Sequence, residues 1–62
     1  MLTPRQRQIL SLAAEGRSNL AIAEELVLSI RTVERHMSSI LNRLGAGNRI
    51  QAVVRAKQAR WI

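Results

Sequence analysis

The sequence predicts an all-α fold, a four-helix bundle that contains a helix-turn-helix. Three observations carry the prediction. Capping residues recur at Thr3, Ser18 or Asn19, Ser29 and Asn48, each just ahead of a helix-forming stretch. Apolar residues return at helical spacing, and no alternating strand pattern, repeat, low-complexity tract or linker is visible. Only VLS, residues 27 to 29, separates the second predicted helix from the third. A connection that short forces two helices to cross at a steep angle. The helices are expected over roughly 4–15, 19–26, 30–44 and 49–60.

The first helix starts behind Thr3, with Pro4 at the first helical position and Gln6 completing a T-x-x-Q capping box. Leu2, Ile9, Leu10 and Ala13 supply a partial apolar face, with Leu12 nearby, and Gly16 supplies the stop. Arg5 and Arg7 lie at the positive end of the helix dipole and Glu15 at the negative end, mildly unfavourable placements that read first as solvated surface charges, with the two arginines facing phosphate as the alternative. In the short second helix Ile22, Ala23 and Leu26 point inward and Glu24 and Glu25 face solvent.

The third helix carries the most information. At 100° per residue, Val33, Met37, Ile40, Leu41 and Leu44 gather on one side. Arg31, Arg35, Ser38 and Asn42 gather on the other. Glu34 borders that polar stripe on one edge; Thr32, Ser39 and Arg43 border it on the other. An idle solvated face would mix Glu with Lys, whereas this one is built of arginines and short side chains. Arg31 and Arg35 stand at i, i+4 with no acid between them to soften a repulsion worth a few tenths of a kcal/mol. The fourth helix is capped by Asn48 with Gln51 completing an N-x-x-Q box. Ile50, Val53, Val54 and Trp61 are its expected apolar face, opposite Arg55, Lys57 and Arg60.

Composition narrows the class of partner. Sixty-two residues make one small domain, 1–62. A chain of this size buries about 60% of its unfolded surface, which leaves stability on the order of 0.1 kcal/mol per residue. With no cysteine there is neither a disulfide framework nor a thiolate metal site. No apolar run approaches the roughly 20 residues of a membrane span, and MLTPRQR lacks the apolar core of a signal peptide. A cytoplasmic location is expected. Ten Lys+Arg against four Asp+Glu give +6, and nine of the ten are Arg. That excess points to a polyanion. With Trp61 the only aromatic, modules that stack single-stranded bases are disfavoured.

A short helix, a three-residue turn and a longer helix with a basic outward stripe form a helix-turn-helix, whose second helix enters the DNA major groove. The groove is about 12 Å wide and admits one α-helix. Ser38 and Ser39 keep that side of the helix narrow, Arg35 or Arg31 offers the donors that guanine N7 and O6 require, and Thr32 and Asn42 suit phosphates at the rim. A phosphate or guanine between them offsets the Arg31–Arg35 repulsion. Glu34 is open to three readings: pairing with Arg31, accepting from cytosine N4, or repelling phosphate at poor sites. The intrahelical pair is the first expectation. His36 is expected to pack at the core edge, since no second metal ligand lies near it. The sequence calls for no metal, cofactor or catalytic group. Glu34 and His36, two residues apart, do not face each other.

The stretch LTPRQRQILSLAAEGRSNLAIAEELVLSIRTVERHMSSILNRLGAGNRIQAV resembles the LuxR/GerE/FixJ/NarL type of helix-turn-helix domain. The anchors LTPR, the SN and IA pairs, LS-x-x-TV-x-x-H and the late LG and NR stand at the family's spacing over Leu2 to Val54. The resemblance implies a DNA-binding domain, usually the C-terminal output module of a bacterial transcription regulator, with helix 3 in the major groove and helix 4 forming the dimer contact on DNA. Glu34, Arg35 and Ser38 then fall at base-facing positions and Thr32 at a phosphate-contacting one. Asn19, Arg31 and Arg49 become backbone contacts beside Asn42 and Arg43. Leu20 replaces a frequent Lys, which removes one phosphate contact that the resemblance would otherwise imply; Glu34 also stands where Lys is common. Gln6 and Gln51 replace common glutamates, preserving the caps while making the chain more basic.

The implied partners are double-stranded DNA, a second copy of the chain on that DNA, and RNA polymerase. Val53, Val54, Ala56 and Lys57 are the candidate surface for the second copy. A sigma-factor region 4 domain is the near alternative, disfavoured by the helix after GAGNR. A basic amphipathic helical module for membrane surfaces or partner proteins is a further one, its membrane form opposed by the Ser, Asn and Arg stripe.

Overall fold

A computed structural model describes all residues, 1–62. It contains four helices and no strand: α1 Pro4–Ala14, α2 Asn19–Leu26, α3 Ile30–Leu44 and α4 Arg49–Gln58. Each begins as its cap prescribes. Thr3 Oγ1 accepts the Gln6 N–H while Gln6 Oε1 accepts the Thr3 N–H, both at 3.1 Å, closing the capping box. Ser18, Ser29 and Asn48 accept from Ala21, Thr32 and Gln51 in the same way.

All four helices end in a left-handed residue flanked by paired 6→1 and 5→2 bonds, the Schellman arrangement. At α1 the pair is Arg17 N–H to Leu12 O and Gly16 N–H to Ala13 O; at α3 it is Ala46 to Leu41 and Gly45 to Asn42. Gly16 (φ 89°) and Gly45 (φ 61°) occupy the left-handed position where a side chain would be strained. The other two ends had no such marker in the sequence. Val27 (φ 56°) ends α2 and Arg60 (φ 58°) ends α4 in the same conformation. The expected end of the fourth helix at 60 therefore moves to Gln58. The residues that follow, Leu28 and Trp61, pack against the core, and their anchoring holds the unfavourable turns in place.

α3 is the hub, packing against α1, α2 and α4. The core joins Leu2, Ile9, Leu10, Leu12 and Ala13 to Ile22 and Ala23, Val33, Met37 and Ile40, and Ala52 and Ala56. The expected inward sets of α1 to α3 meet there, with Leu26, Leu41 and Leu44 half-buried around it. On α4 the expectation needs correction. Ile50 is 75% exposed and Val54 48%, while Ala52 and Ala56 are fully enclosed. Alanines at i, i+4 let α4 lie close to the bundle, which turns the larger Ile50 and Val54 outward. Arg55 secures α4 to the end of α3, donating from Nη1 to the carbonyls of Leu44 (3.1 Å) and Gly45 (2.6 Å). No helix is long and apolar enough to cross a membrane.

Candidate nucleic-acid interface

Core packing of Val33, Met37 and Ile40 fixes the rotation of α3 and so fixes which residues it presents. Arg31, Glu34, Arg35, Ser38 and Asn42 are all exposed along one side. Thr32, His36 and Ser39 are half-buried on the flank toward α1. Ser29 locks the start of α3 by accepting the Thr32 N–H (3.1 Å) and sharing a hydroxyl–hydroxyl bond with Thr32 Oγ1 (2.9 Å).

The charges on this stripe are unneutralised. The only ion pairs in the molecule belong to Arg17, with Glu15 at 3.5 Å and with Glu25. Glu34 makes no ion pair with Arg31, contrary to the first expectation for it. Both side chains extend into solvent, where such a pair contributes little against the entropy of holding it. Arg31 and Arg35 are therefore free cations with Glu34 beside them.

The remaining sites divide. Asn42 is exposed at the far end of the stripe. Arg43 points away from it and donates to the Met1 carbonyl at 2.8 Å. Arg49 is half-buried and donates from Nη2 to Asn19 Oδ1 at 2.7 Å, bringing the two together at the adjoining starts of α2 and α4. Leu20, where a cation was missed, is 53% exposed.

Ser39 is displaced from its expected place. It turns toward α1 and accepts a 3.1 Å hydrogen bond from Gln6 Nε2. Gln6 itself is 5% exposed, the one buried polar residue of the chain. Gln6, Thr32, Arg35, His36 and Ser39 together line a polar cleft of about 310 Å³ between α1 and α3. Sequence reading found Gln6 as a cap but not its reach to Ser39; nothing in a local pattern encodes a contact across 33 residues.

Of the candidate surface for a second copy, Ala56 is excluded because it is wholly enclosed by its own chain. Val53 is half-buried, and Val54 and Lys57 are exposed. Ile50, first assigned inward, joins Val53 and Val54 on one wall of an open groove of about 410 Å³, with Ala13 and Ala14 of α1 opposite.

Comparison with known proteins agrees with this architecture. The family model described as "Bacterial regulatory proteins, luxR family" matches residues 1–56. The chain is 40% identical over 60 residues to the transcriptional regulatory protein DesR of Bacillus subtilis, covering 97% of this chain and 30% of that protein. It is 47% identical over 58 residues to the response regulator protein VraR of Staphylococcus aureus, covering 94% and 28% respectively. The crystal structure of the response regulator ChrA, from a heme-sensing two-component system, superposes with a TM-score of 0.97 at 37% identity, over 100% of this chain and 31% of that one. The chain thus spans less than a third of the length of these relatives. They are transcriptional regulators, not enzymes, and the sigma-factor alternative gives way to them. Four helices, an exposed basic stripe on α3 and a family match over 1–56 lead to one conclusion: the chain belongs to the luxR family of bacterial regulatory proteins and is a DNA-binding domain of that kind.

Proposed function

We propose that the chain binds duplex DNA sequence-specifically with α3 in the major groove, and that two copies bind side by side through α4. The observation that carries the reading is the stripe of Arg31, Glu34, Arg35, Ser38 and Asn42, exposed together and without an internal counter-charge for either arginine. Arg35 supplies a bidentate donor to guanine, with Ser38 beside it and Glu34 available to cytosine N4. Arg31, Thr32 and Asn42 meet phosphates along the rim, and Arg49 with Asn19 meets them from the start of α2. Arg43 contributes to the backbone only if it leaves the Met1 carbonyl.

For the second copy the supporting feature is the outward apolar face of Ile50 and Val54 with Val53 and Lys57, at i, i+3, i+4 and i+7 on one side of α4. Two copies present two recognition helices to two half-sites whose spacing follows from the dimer symmetry. Transcriptional control by such a complex takes place in the cytoplasm and engages RNA polymerase. Selection of bound sites from a random DNA pool tests the reading. Recurrent paired half-sites are expected; a pool that yields no shared sequence would remove specific recognition, and single half-sites would remove the paired arrangement.

A further inference from the structure

The polar cleft between α1 and α3 adjoins the base-facing stripe and shares Arg35 with it, and the hydrogen-bond directions at its floor are fixed by the chemistry of Gln6. Gln6 Oε1 faces the Thr3 N–H, which only donates, so the oxygen must stand there and Nε2 must face Ser39. An amide nitrogen only donates, so Ser39 Oγ accepts and its own O–H remains to be given. Thr32 Oγ1 shares a hydroxyl–hydroxyl bond with Ser29 and keeps capacity for a second partner. Arg35 and His36 complete the lining, and no carboxylate or hydrophobic residue takes part. The cleft therefore presents the Ser39 hydroxyl as a donor, the Thr32 hydroxyl, the His36 imidazole and one side of the Arg35 guanidinium, with no carboxylate among them.

We infer that this cleft seats one backbone phosphate of the bound DNA, and that Gln6 is a positioning residue that acts through Ser39 by making its hydroxyl a donor. The inference rests on the DNA-binding reading. It fits a phosphodiester because Thr32, His36 and Ser39 lie on the flank of α3 beside the stripe, with Arg35 at the shared edge, where a groove wall rises when the helix enters the groove. Gln6 in place of Glu matters for two reasons. A carboxylate would accept from Ser39 and consume its proton, and it would set a negative charge at the floor of an anion seat.

The test compares Gln6→Glu with the unaltered 62-residue chain. Glu keeps the capping-box geometry, and thermal unfolding measured alongside establishes that the variant is folded despite the buried carboxylate. Binding is expected to fall roughly tenfold on preferred and random duplexes alike, as for a lost hydrogen bond to a charged group. The slope of log K against log salt is expected to become shallower by about 0.9, one phosphate. Ser39→Ala changes no charge, so it should weaken preferred and random duplexes alike with the slope unaltered, and it decides the matter if Gln6→Glu fails to fold. A methylphosphonate scan of the preferred duplex should locate one phosphate per half-site whose neutralisation weakens the unaltered chain but hardly affects either variant. Unchanged affinity in folded variants, an unchanged slope in folded Gln6→Glu, or a loss confined to the preferred sequence would overturn the phosphate seat while leaving DNA binding intact. A flat salt response of the unaltered chain would overturn both.

Discussion

Arg49 Nη2 and Asn19 Oδ1, 2.7 Å apart, join the first residue of α4 to the first residue of α2. α2 and α4 otherwise do not pack against each other. Arg49 Nε is buried without a partner, so the bond to Asn19 is the guanidinium's one hydrogen bond within the chain. Removing one side should destabilise the domain. Arg49→Ala and Asn19→Ala are each expected to lower stability by about 1–2 kcal/mol. The double variant should cost less than the sum, with a coupling of roughly 1 kcal/mol in a denaturant double-mutant cycle. Additive losses would mean that the bond contributes nothing to stability. Binding to all duplexes should weaken together, since neither side chain reads a base in the proposed arrangement.

Val27 is a β-branched residue held at φ 56° and 89% exposed. The left-handed conformation costs an L-residue about 1–2 kcal/mol, and no burial of the side chain offsets it. Val27→Asn is expected to stabilise the domain by about 1 kcal/mol, since Asn tolerates this region. In a domain of this size the melting temperature should rise by roughly 4–8 °C, with DNA affinity unchanged. A lower melting temperature would show that Val27 makes contacts that outweigh the strain.

Arg35 lies at the centre of the exposed stripe and carries no ion pair. Arg35→Ala should weaken the preferred site by about 1–3 kcal/mol and relax the choice at one base pair. Asn42→Ala should weaken preferred and random duplexes equally. Competition binding with single base-pair variants separates the two; an equal loss at every sequence would reassign Arg35 to phosphate.

Glu34 stands exposed and unpaired next to these arginines. If it repels phosphate where no cytosine N4 is offered, Glu34→Gln should tighten binding to random DNA by several-fold while the preferred site gains less. The ratio of the two dissociation constants at fixed salt is the measurement. A loss confined to the preferred site would instead make Glu34 a direct reader of cytosine.

Ile50 and Val54 form an exposed i, i+4 pair. Ile50→Asp or Val54→Asp should abolish cooperative occupancy of paired half-sites while leaving single half-site affinity within a few-fold. The reason is that a carboxylate at an apolar contact must be desolvated without a partner. Gel-shift titrations on one and two half-sites report the difference. Unaltered cooperativity would move the contact between copies away from this face.

Helix limits and the polar stripe were legible because both are local. A cap and its third following residue, or a side chain and its i+4 neighbour, meet whenever the backbone is helical. Thus Thr3 with Gln6, Ser29 with Thr32 and Asn48 with Gln51 formed where their spacing placed them. The exceptions were the turns at Val27 and Arg60, which adopt a glycine-like conformation without glycine because Leu28 and Trp61 behind them are drawn to the core.

The sequence by itself determined four helices, a helix-turn-helix and a basic outward face on α3, all consequences of short-range periodicity and capping. Tertiary structure alone decided which side of α4 is enclosed. Its alanines permit a close approach that Ile50 and Val54 do not, so Ala52 and Ala56 went in and the larger residues came out. It also decided that Gln6 meets Ser39, that Arg49 meets Asn19, and that Glu34 meets neither arginine partner. Those outcomes depend on how whole helices pack and how far solvent screens a pair, and no spacing along the chain records either.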